Sequence, residues 1–199
     1  MPKISDEAKT ERREHVLAGA RRCFAAFGYE GATVVRLEAE TGLSRGAIFN
    51  WFPTKEELFL ELAARDNARL AATWADEGHE ALVRAVLEED PAWLGVYAEF
   101  GRRLRTDADF RERWKQRTPP EVEQRIVERI RNAQKGGELR DDLDAEEIAR
   151  LIGLILDGLV IQRAFGFDPP AHESVNGLLR DALGSRKGAR PAGKKPGRS

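Results

Sequence analysis

The stretch TVVRLEAETGLSRGAIFNWF, residues 33–52, decides the fold of this chain. Thr33 is a suitable N-cap for a short helix, because its hydroxyl can accept a hydrogen bond from an amide of the first turn. Gly42 can adopt the left-handed conformation that ends this helix, and Leu43 can fill the junction from inside. Ser44 then caps another helix of about eight residues. Two short helices joined by a tight turn predict a helix-turn-helix motif.

The residues before this motif predict one longer helix. Apolar residues recur there at helical spacing, whereas several arginines occupy other positions of the helical wheel. Gly28 then supplies a helix stop. Three helices would therefore fit into residues 1–54, an N-terminal head. The apolar positions of the first helix are Val16, Leu17, Ala20, Phe24 and Phe27.

The residues after the motif predict further helices. Residues 54–57 and 144–147 are capping boxes, in which a side chain at each end of the first turn satisfies a free backbone amide. No alternating strand pattern that would flank a hairpin is present. The sequence predicts an all-α fold of about nine helices. It divides into the head at 1–54, a helical body at 55–183 and a disordered basic tail at 184–199.

Composition narrows the class of protein. Hydrophobic residues make up 41% of the chain and charged residues 34%, a mixture that can bury a core. The N-terminus has no apolar leader segment, and the longest apolar run, residues 151–161, is about half of a membrane-spanning length and contains Asp157. The single cysteine, Cys23, fits a reducing compartment. We expect a soluble, cytoplasmic protein without a membrane partner.

Charge is distributed unevenly along the chain. The net charge of −1 combines an excess of basic residues in positions 1–55, an excess of acidic residues in positions 56–183 and a tail with basic residues only. A polyanion would meet the head or the tail and be repelled by the middle. The excess in the head is small, so the helix-turn-helix geometry is the stronger indication of DNA binding. The tail can add non-specific attraction to DNA or be a solvated terminus.

The second helix of the motif has the features of a DNA-reading element. Its length of roughly 12 Å fits the major groove of DNA. Ser44 would leave the first backbone amides of this helix pointing outward, where a phosphate oxygen can accept them. Arg45 is the best candidate for reading a base, because its guanidinium matches O6 and N7 of guanine.

The order and spacing of residues 24–58 resemble the TetR family of bacterial repressors. The resemblance is carried by Phe24, Gly28, Tyr29, Thr33, Val34, Leu37, Gly42, Leu43, Ser44, Arg45, Gly46, Ala47, Ile48, Phe49, Phe52, Lys55 and Leu58. It implies a sequence-specific DNA-binding repressor that is released or modulated by a small-molecule effector. It also implies that residues 55–183 bind this effector and form a homodimer.

The family resemblance assigns DNA contacts residue by residue. Leu37, Ile48 and Phe52 are expected in the core and not at the DNA. Three positions depart from the family pattern: Phe49 lacks the hydroxyl of the usual tyrosine, and Glu38 and Thr41 replace small alanines. Glu38 is expected to pair with an arginine or extend to solvent, which leaves the seating of this helix open. The predicted contacts are Thr33, Arg36, Ser44, Arg45, Gly46, Phe49, Asn50, Trp51 and Lys55.

The last two helices are predicted to form the homodimer. Apolar residues in 151–161 cover more than one face of a single helix, so this helix needs cover from its own core and from a second surface. A helix buried wholly within one chain is the alternative. A dimer also suits a palindromic operator in double-stranded DNA, because two heads must meet two half-sites.

An effector site is predicted among the middle helices. Each aromatic residue considered for it could instead be part of the core, and each arginine could instead be solvated. Asp157, inside an apolar run, is a pocket group or a hydrogen-bonding group between helices. The candidates are Trp74, Trp93, Tyr97, Phe100, Arg103, Trp114, Arg129 and Asp157.

A narrower resemblance concerns the effector. Residues 36–49 and 104–114 resemble the actinobacterial aconitase repressors. Glu38 and Phe49, which depart from the broad family pattern, fit the pattern of this group. This resemblance implies control of an aconitase gene and a tricarboxylate effector such as citrate, with Mg²⁺ as a possible companion ion. A tricarboxylate would need several arginines converging on one pocket. The alternatives are a TetR-type regulator of an efflux or lipid-metabolism operon with an apolar ligand, and a helical protein-interaction module.

No pattern in the sequence indicates an enzyme or a required cofactor. The histidines, His15, His79 and His172, lie on separate segments without the paired spacing of a metal site. There is no phosphate-binding glycine loop and no serine elbow. Cys23 is expected to be a small buried hydrophobic residue.

Overall fold

The computed structural model describes residues 5–117 and 120–185, and these residues form ten helices with no strand beyond one isolated bridge. The all-α prediction is confirmed. The count is one more than the expected nine. Asp107, in an extended conformation (φ −121°, ψ 103°), ends one helix and caps the next. The helices are α1 (Asp6–Gly31), α2 (Val34–Thr41), α3 (Arg45–Phe49), α4 (Lys55–Glu77), α5 (His79–Glu88), α6 (Pro91–Thr106), α7 (Ala108–Lys115), α8 (Pro120–Gly136), α9 (Ala145–Ala164) and α10 (His172–Leu183).

Helices α1–α3 form the head. Val16, Ala20 and Phe24 on α1 are fully buried, as their spacing predicts. Gly28 takes φ 68° and bends the end of α1, which confirms the predicted helix stop. Phe27 differs from the expectation: it is 41% exposed, and the Arg36 guanidinium covers its ring at 4.2 Å. The bend at Gly28 turns this side chain out of the core.

Helix α2 is seated against α1 through a close contact at Gly19. A Cβ atom at Gly19 would lie 2.6 Å from the Cγ2 methyl of Thr41 and 3.0 Å from its Cα. Thr41 is buried, and its hydroxyl donates to the carbonyl of Leu37 at 2.7 Å and accepts from the amide of Leu43 at 3.3 Å. The threonine that departs from the family pattern thus fits because α1 carries a glycine opposite it.

Replacing Gly19 with alanine is expected to destabilise the protein by about 1–3 kcal/mol, because the new methyl group overpacks a contact that includes backbone. Gly101→Ala on α6 is the matched control. A Cβ atom at Gly101 would have no neighbour within 4 Å, so alanine should be neutral or stabilising by up to about 1 kcal/mol. Urea denaturation of both variants measures the two free energies of unfolding. Equal stability of the two variants would refute the close contact.

The head and the first helices of the body share one hydrophobic core. The rings of Phe59 on α4 and Phe100 on α6 stack with centroids 3.7 Å apart. Tyr29, at the end of α1, packs edge-to-face on Phe100 at 4.7 Å. The Tyr29 amide donates to the Glu99 carboxylate at 2.8 Å. Because close-packed side chains transmit displacement, a shift of α6 would move the head.

A second core lies between α5, α8, α9 and α10. Its most buried members include Val83, Ile148 and Ile152. The chain after α10 is tied to the body, since Leu139 and Gly184 form an antiparallel bridge. Residues 186–199, most of the predicted disordered tail, lie outside the described residues. Within the described part of the chain, every helix is too short or too polar to span a lipid bilayer.

Candidate DNA interface and effector cavities

The turn between α2 and α3 has the geometry that the sequence predicts. Gly42 adopts the left-handed conformation, with φ 67° and ψ 16°. The Thr33 hydroxyl accepts from the Arg36 amide at 3.4 Å and the Ser44 hydroxyl from the Ala47 amide at 3.4 Å, so both predicted N-caps are confirmed. Ile48 is fully buried beneath α3. Burial of Ile48 fixes which face of α3 points outward.

The outward face of α3 is open. Ser44, Arg45, Gly46 and Asn50 are all exposed. A Cβ atom at Gly46 would have no neighbour within 4 Å, so another molecule can approach the backbone there. The Arg45 guanidinium lies 6.0 Å from the centroid of the Phe49 ring, and it pairs with no carboxylate among residues 5–117 and 120–185. Its donors are therefore directed to solvent and to whatever meets this face.

Glu38 caps the N-terminus of helix α3. Its Oε1 accepts from the backbone amide of Arg45 at 2.7 Å. The expectation that the first amides of α3 are open to a phosphate is wrong for this amide, because a carboxylate of the same chain already holds it. A negative side chain at a helix N-terminus also stabilises the helix dipole. Glu38 thus fixes α3 relative to α2.

Four predicted contacts are partly engaged inside the head. Arg36 donates from Nη1 to the carbonyl of Gly31 at 2.7 Å. Lys55 donates from Nζ to the carbonyl of Tyr29 at 2.8 Å and lies 4.3 Å from the centroid of its ring. Trp51 and Phe49 are half-buried against the head core. These side chains border the exposed face of α3 and do not form it.

Both halves of the chain match known sequence families. Residues 16–62 match the family described as bacterial regulatory proteins of the tetR family, and residues 75–186 match the C-terminal domain of BetI-type transcriptional repressors. The chain belongs to the TetR family. It is a TetR-type transcriptional repressor and not an enzyme. Regulators of this family bind DNA operators and small-molecule effectors, typically as dimers.

Individual relatives agree with this assignment. The chain is 44% identical to the HTH-type transcriptional repressor AcnR of Corynebacterium efficiens over 86% of this chain and 92% of that protein. It is 40% identical to AcnR of Corynebacterium diphtheriae over 93% of this chain and 98% of that protein. Its fold is similar to that of a transcriptional regulator from Saccharomonospora viridis in complex with choline, with a TM-score of 0.69, 25% identity and coverage of 89% and 100%.

The body of this TetR-type repressor encloses a cavity of about 550 Å³ between α4, α6 and α9. Of the residues considered as effector contacts, the cavity brings together Trp74, Trp93, Tyr97, Trp114 and Asp157. Trp93 and Tyr97 pack edge-to-face at 5.5 Å, and Tyr97 and Trp114 at 6.2 Å. The walls are mostly apolar, and the charged residues among them are Asp66, Arg69, Glu89 and Asp157.

Three predicted effector residues lie elsewhere. Phe100 is stacked on Phe59 in the core beneath the head and does not line the large cavity, although it borders a separate space of about 510 Å³ that Arg103 also lines. Arg103 pairs with Glu56 at 2.6 Å, which holds α6 to the start of α4. Arg129 lines a second cavity of about 290 Å³ and donates to the carbonyl of Asp76 at 2.9 Å. The predicted single site is thus divided between separate regions of the body.

An ionic network joins the large cavity to the head. Arg21 on α1 donates to Asp66 at 2.5 Å and to Glu89 at 2.8 Å. Asp66 also accepts from the indole nitrogen of Trp93 at 2.6 Å, and the Arg21 guanidinium lies 4.5 Å from the centroid of that ring. Sequence reasoning missed this network, because its members are 27 to 68 positions apart and share no motif. A ligand that moves Trp93 or Asp66 therefore acts directly on a helix of the head.

Replacing Arg21 with methionine is expected to lower the free energy of unfolding by about 1–3 kcal/mol, because it leaves the mostly buried carboxylates of Asp66 and Glu89 without their shared donor. The double variant Arg21→Met/Asp66→Asn should recover part of this loss, since one of the two charges is removed. Chemical denaturation measures both. Arg105→Met, on an exposed side chain of α6, controls for loss of a positive charge. Stability like that of the control would show that the network contributes nothing.

Asp157 lines the large cavity and is itself exposed, and no basic group among the described residues pairs with it. The apolar side chains around it raise the pKa of its carboxyl by desolvation. Tyr97, deep in the cavity wall, also has its pKa raised by burial, and its hydroxyl donates to the carbonyl of Ala63 at 3.3 Å. Asp157 is thus an exposed acid of the cavity wall without a counter-charge among the described residues.

The second cavity is smaller and more polar. Arg129, His79 and Glu138 line it. The Nε2 atom of His79 is buried with no hydrogen-bond partner among the described residues, and burial lowers the pKa of its imidazole. A buried polar atom without a partner costs free energy unless a ligand or water satisfies it. This cavity therefore suits a polar guest.

The outer faces of α9 and α10 are apolar and uncovered in the single chain. Ile152, Leu156 and Leu159 of α9 are buried inward, as one face of the predicted apolar run. The opposite face exposes Leu154, and α10 exposes Leu178, at 64% and 72% of their surfaces. Leu178 lines an apolar groove of about 430 Å³ between the two helices. Exposed apolar area of this kind marks an interface.

Proposed function

We propose that this repressor binds a palindromic operator as a dimer and controls an aconitase gene. The observation that carries the proposal is the outward face of α3 with Arg45 unpaired, on a chain 38–44% identical to repressors named AcnR over most of its length. Arg45 would read a guanine, Asn50 an adenine, and Ser44, Thr33, Arg36 and Lys55 would hold phosphates beside them. Such a protein acts on chromosomal DNA in the cytoplasm.

The dimer is proposed to form through α9 and α10 of two copies. The exposed leucines of these helices would pack against their equivalents about a two-fold axis, as a self-complementary interface requires. Glycine at 158, in the groove, would let the partner helix approach closely. The two heads would then reach half-sites one helical turn of DNA apart, or a multiple of it.

A tricarboxylate effector is proposed for the second cavity. Arg129 supplies a positive charge there and His79 a ring nitrogen without a partner, while Glu77, Glu80 and Glu138 line the same space, so a cation brought with the effector would have to offset their charge. The residues of this chain do not by themselves fit a magnesium ion, because the described part holds no group of three or more acidic, histidine or cysteine side chains able to bind one. An accompanying Mg²⁺ would depend on the carboxylates of the effector. The choline complex of the Saccharomonospora regulator supports the broader proposal that a protein of this fold binds a small organic molecule.

A gel-shift assay with purified full-length protein tests the target. The DNA is the region upstream of the aconitase gene of the same genome, and a scrambled fragment of equal length is the control. A shift of the first fragment alone, relieved or strengthened by citrate with Mg²⁺ but not by Mg²⁺ alone, is the expected result. Binding of both fragments with equal affinity at physiological salt would contradict the proposed target.

A further inference from the structure

We propose that the large cavity between α4, α6 and α9 binds an organic monocation with an apolar body, of the quaternary-ammonium or protonated-amine class. This site is separate from the cavity that contains Arg129. The proposal concerns binding at the cavity, so it does not depend on which gene the repressor controls.

The size and the walls of the cavity suit an organic molecule. Its volume of about 550 Å³ lies within the usual range of small-molecule sites, roughly 300–1,000 Å³. Leu70, Val86 and Leu156 contribute apolar surface, and three tryptophans and one tyrosine contribute ring surface. A ligand body of several carbon atoms would therefore exchange water contact for packing.

The charges of the wall leave one acid unbalanced. Asp66 and Glu89 share Arg21, at 2.5 and 2.8 Å, and Glu89 also pairs with Arg69 at 2.7 Å. Two carboxylates thus face two guanidinium groups, and their charges cancel. Asp157 is left without a basic partner among the described residues. The cavity consequently has one net negative charge to offer a ligand.

The aromatic wall already holds a cation of the protein itself. The Arg21 guanidinium lies 4.5 Å from the centroid of the Trp93 ring, behind the cavity. Trp93 and Tyr97 meet edge-to-face, as do Tyr97 and Trp114, so ring faces and edges of several orientations border the same space. Aromatic faces attract cations, most strongly where water is excluded. The rings would hold the ligand while Asp157, exposed in the cavity wall, balances its charge.

An anion is disfavoured at the same place. Arg69 is the basic residue of the cavity wall, and Glu89 and Asp66 already face it at 2.7 and 3.8 Å. A carboxylate ligand would have to displace one of these partners and would still meet the charge of Asp157. The large cavity therefore offers a carboxylate ligand no arginine that is free of an acidic partner.

Three probes of nearly equal shape and different charge test whether the cavity prefers a cation. Benzyltrimethylammonium is the cation, neopentylbenzene is its neutral isostere, and phenylmethanesulfonate is the anion. Binding to the full-length protein at pH 7.5 is followed by tryptophan fluorescence, since three of the four tryptophans line the cavity, and by calorimetry. The cation is expected to bind at least ten times more tightly than the neutral probe, and the anion more weakly than either.

Variants of Asp157 assign the selectivity to this residue. Asp157→Asn should lower the affinity for the cation about tenfold and leave the affinity for the neutral probe unchanged. Asp157→Lys should abolish cation binding. Asp109→Asn, an exposed acid on α7 outside the cavity, is the matched control and should change neither affinity. Equal affinity of cation and neutral probe, tightest binding of the anion, or unchanged cation affinity in Asp157→Asn would each overturn the proposal.

Thermal unfolding separates loss of the site from loss of the fold. Desolvation raises the pKa of Asp157 in the folded state above its unfolded value, so this group favours folding only while protonated. Its contribution is lost as the pH rises from about 4 through the raised pKa. Asp157→Asn should therefore be at least as stable as the wild type at pH 7.5 while it binds the cation less well. Operator binding of the wild type without any probe is measured in parallel, and intact operator binding with no probe selectivity distinguishes failure of this proposal from failure of the proposed function.

Discussion

Replacing Arg45 with alanine is expected to weaken binding to the specific operator by about 1–3 kcal/mol, roughly 5- to 150-fold. Arg45 is exposed at the start of α3, and no carboxylate of the described residues holds its guanidinium. The free protein therefore loses no ion pair on substitution, and the change should appear in DNA binding alone. Titration of a labelled operator at two salt concentrations measures the loss.

The matched control for Arg45 is Arg105→Ala, on an exposed position of α6 in the body. It removes the same charge away from α3 and should leave operator affinity within a factor of about two. Arg45→Ala should lower the affinity for a non-operator duplex less than the affinity for the operator. Base contacts determine which sequence is bound, whereas phosphate contacts only position the protein on the duplex. Unchanged operator affinity together with the loss of a protein partner would favour an interaction module instead.

Replacing Leu154 with glutamate is expected to convert the dimer into monomers at micromolar concentration. The side chain is 64% exposed in the single chain, on the face of α9 proposed to meet the partner. A two-fold interface would contain the new carboxylate twice, and burying an unpaired charge costs at least about 3 kcal/mol. Sedimentation should then show a species of 22.3 kDa in place of one twice as heavy. Operator affinity should fall by more than about 100-fold, because one head reaches only one half-site.

Two further variants locate the interface. Leu178→Glu on α10 should act like Leu154→Glu, since both leucines belong to the same apolar surface. Val35→Glu in the head introduces the same charge at a residue 73% exposed and should leave the protein dimeric. A dimer that survives both leucine substitutions would place the interface on another surface of the body.

The local parts of the DNA interface were predictable from residues that lie close in sequence. Thr33 and Ser44 each accept from an amide three positions ahead, and Gly42 needs only its own backbone freedom. The sequence could not show that Glu38 takes the Arg45 amide, seven positions away, because that contact depends on how α2 and α3 are placed. The prediction that this amide is open to a phosphate was wrong for this reason.

The effector region was predicted less well than the head. Phe100 and Trp93 both stand in α6 and both have fully buried side chains, yet only Trp93 adjoins the large cavity. Arg103 and Arg129 were expected beside the aromatic residues of one site. Arg103 lies over Phe100 and Phe110 and pairs with Glu56, away from the large cavity, and Arg129 donates to main-chain carbonyls of α4. A helical pattern shows which residues face inward, and the partner of each is set by helices far away in the chain.

The sequence by itself determined the helix-turn-helix, its caps, the all-α class and the family. Short-range hydrogen bonds and helical spacing depend only on residues that are close together in the sequence. Only the tertiary structure decided where the cavities lie, that Arg21 joins one of them to the head, and that Asp157 has no counter-charge among the described residues. These features arise where α1, α4, α6 and α9 pack together. A contact between residues tens of positions apart is fixed by that packing and by no local signal.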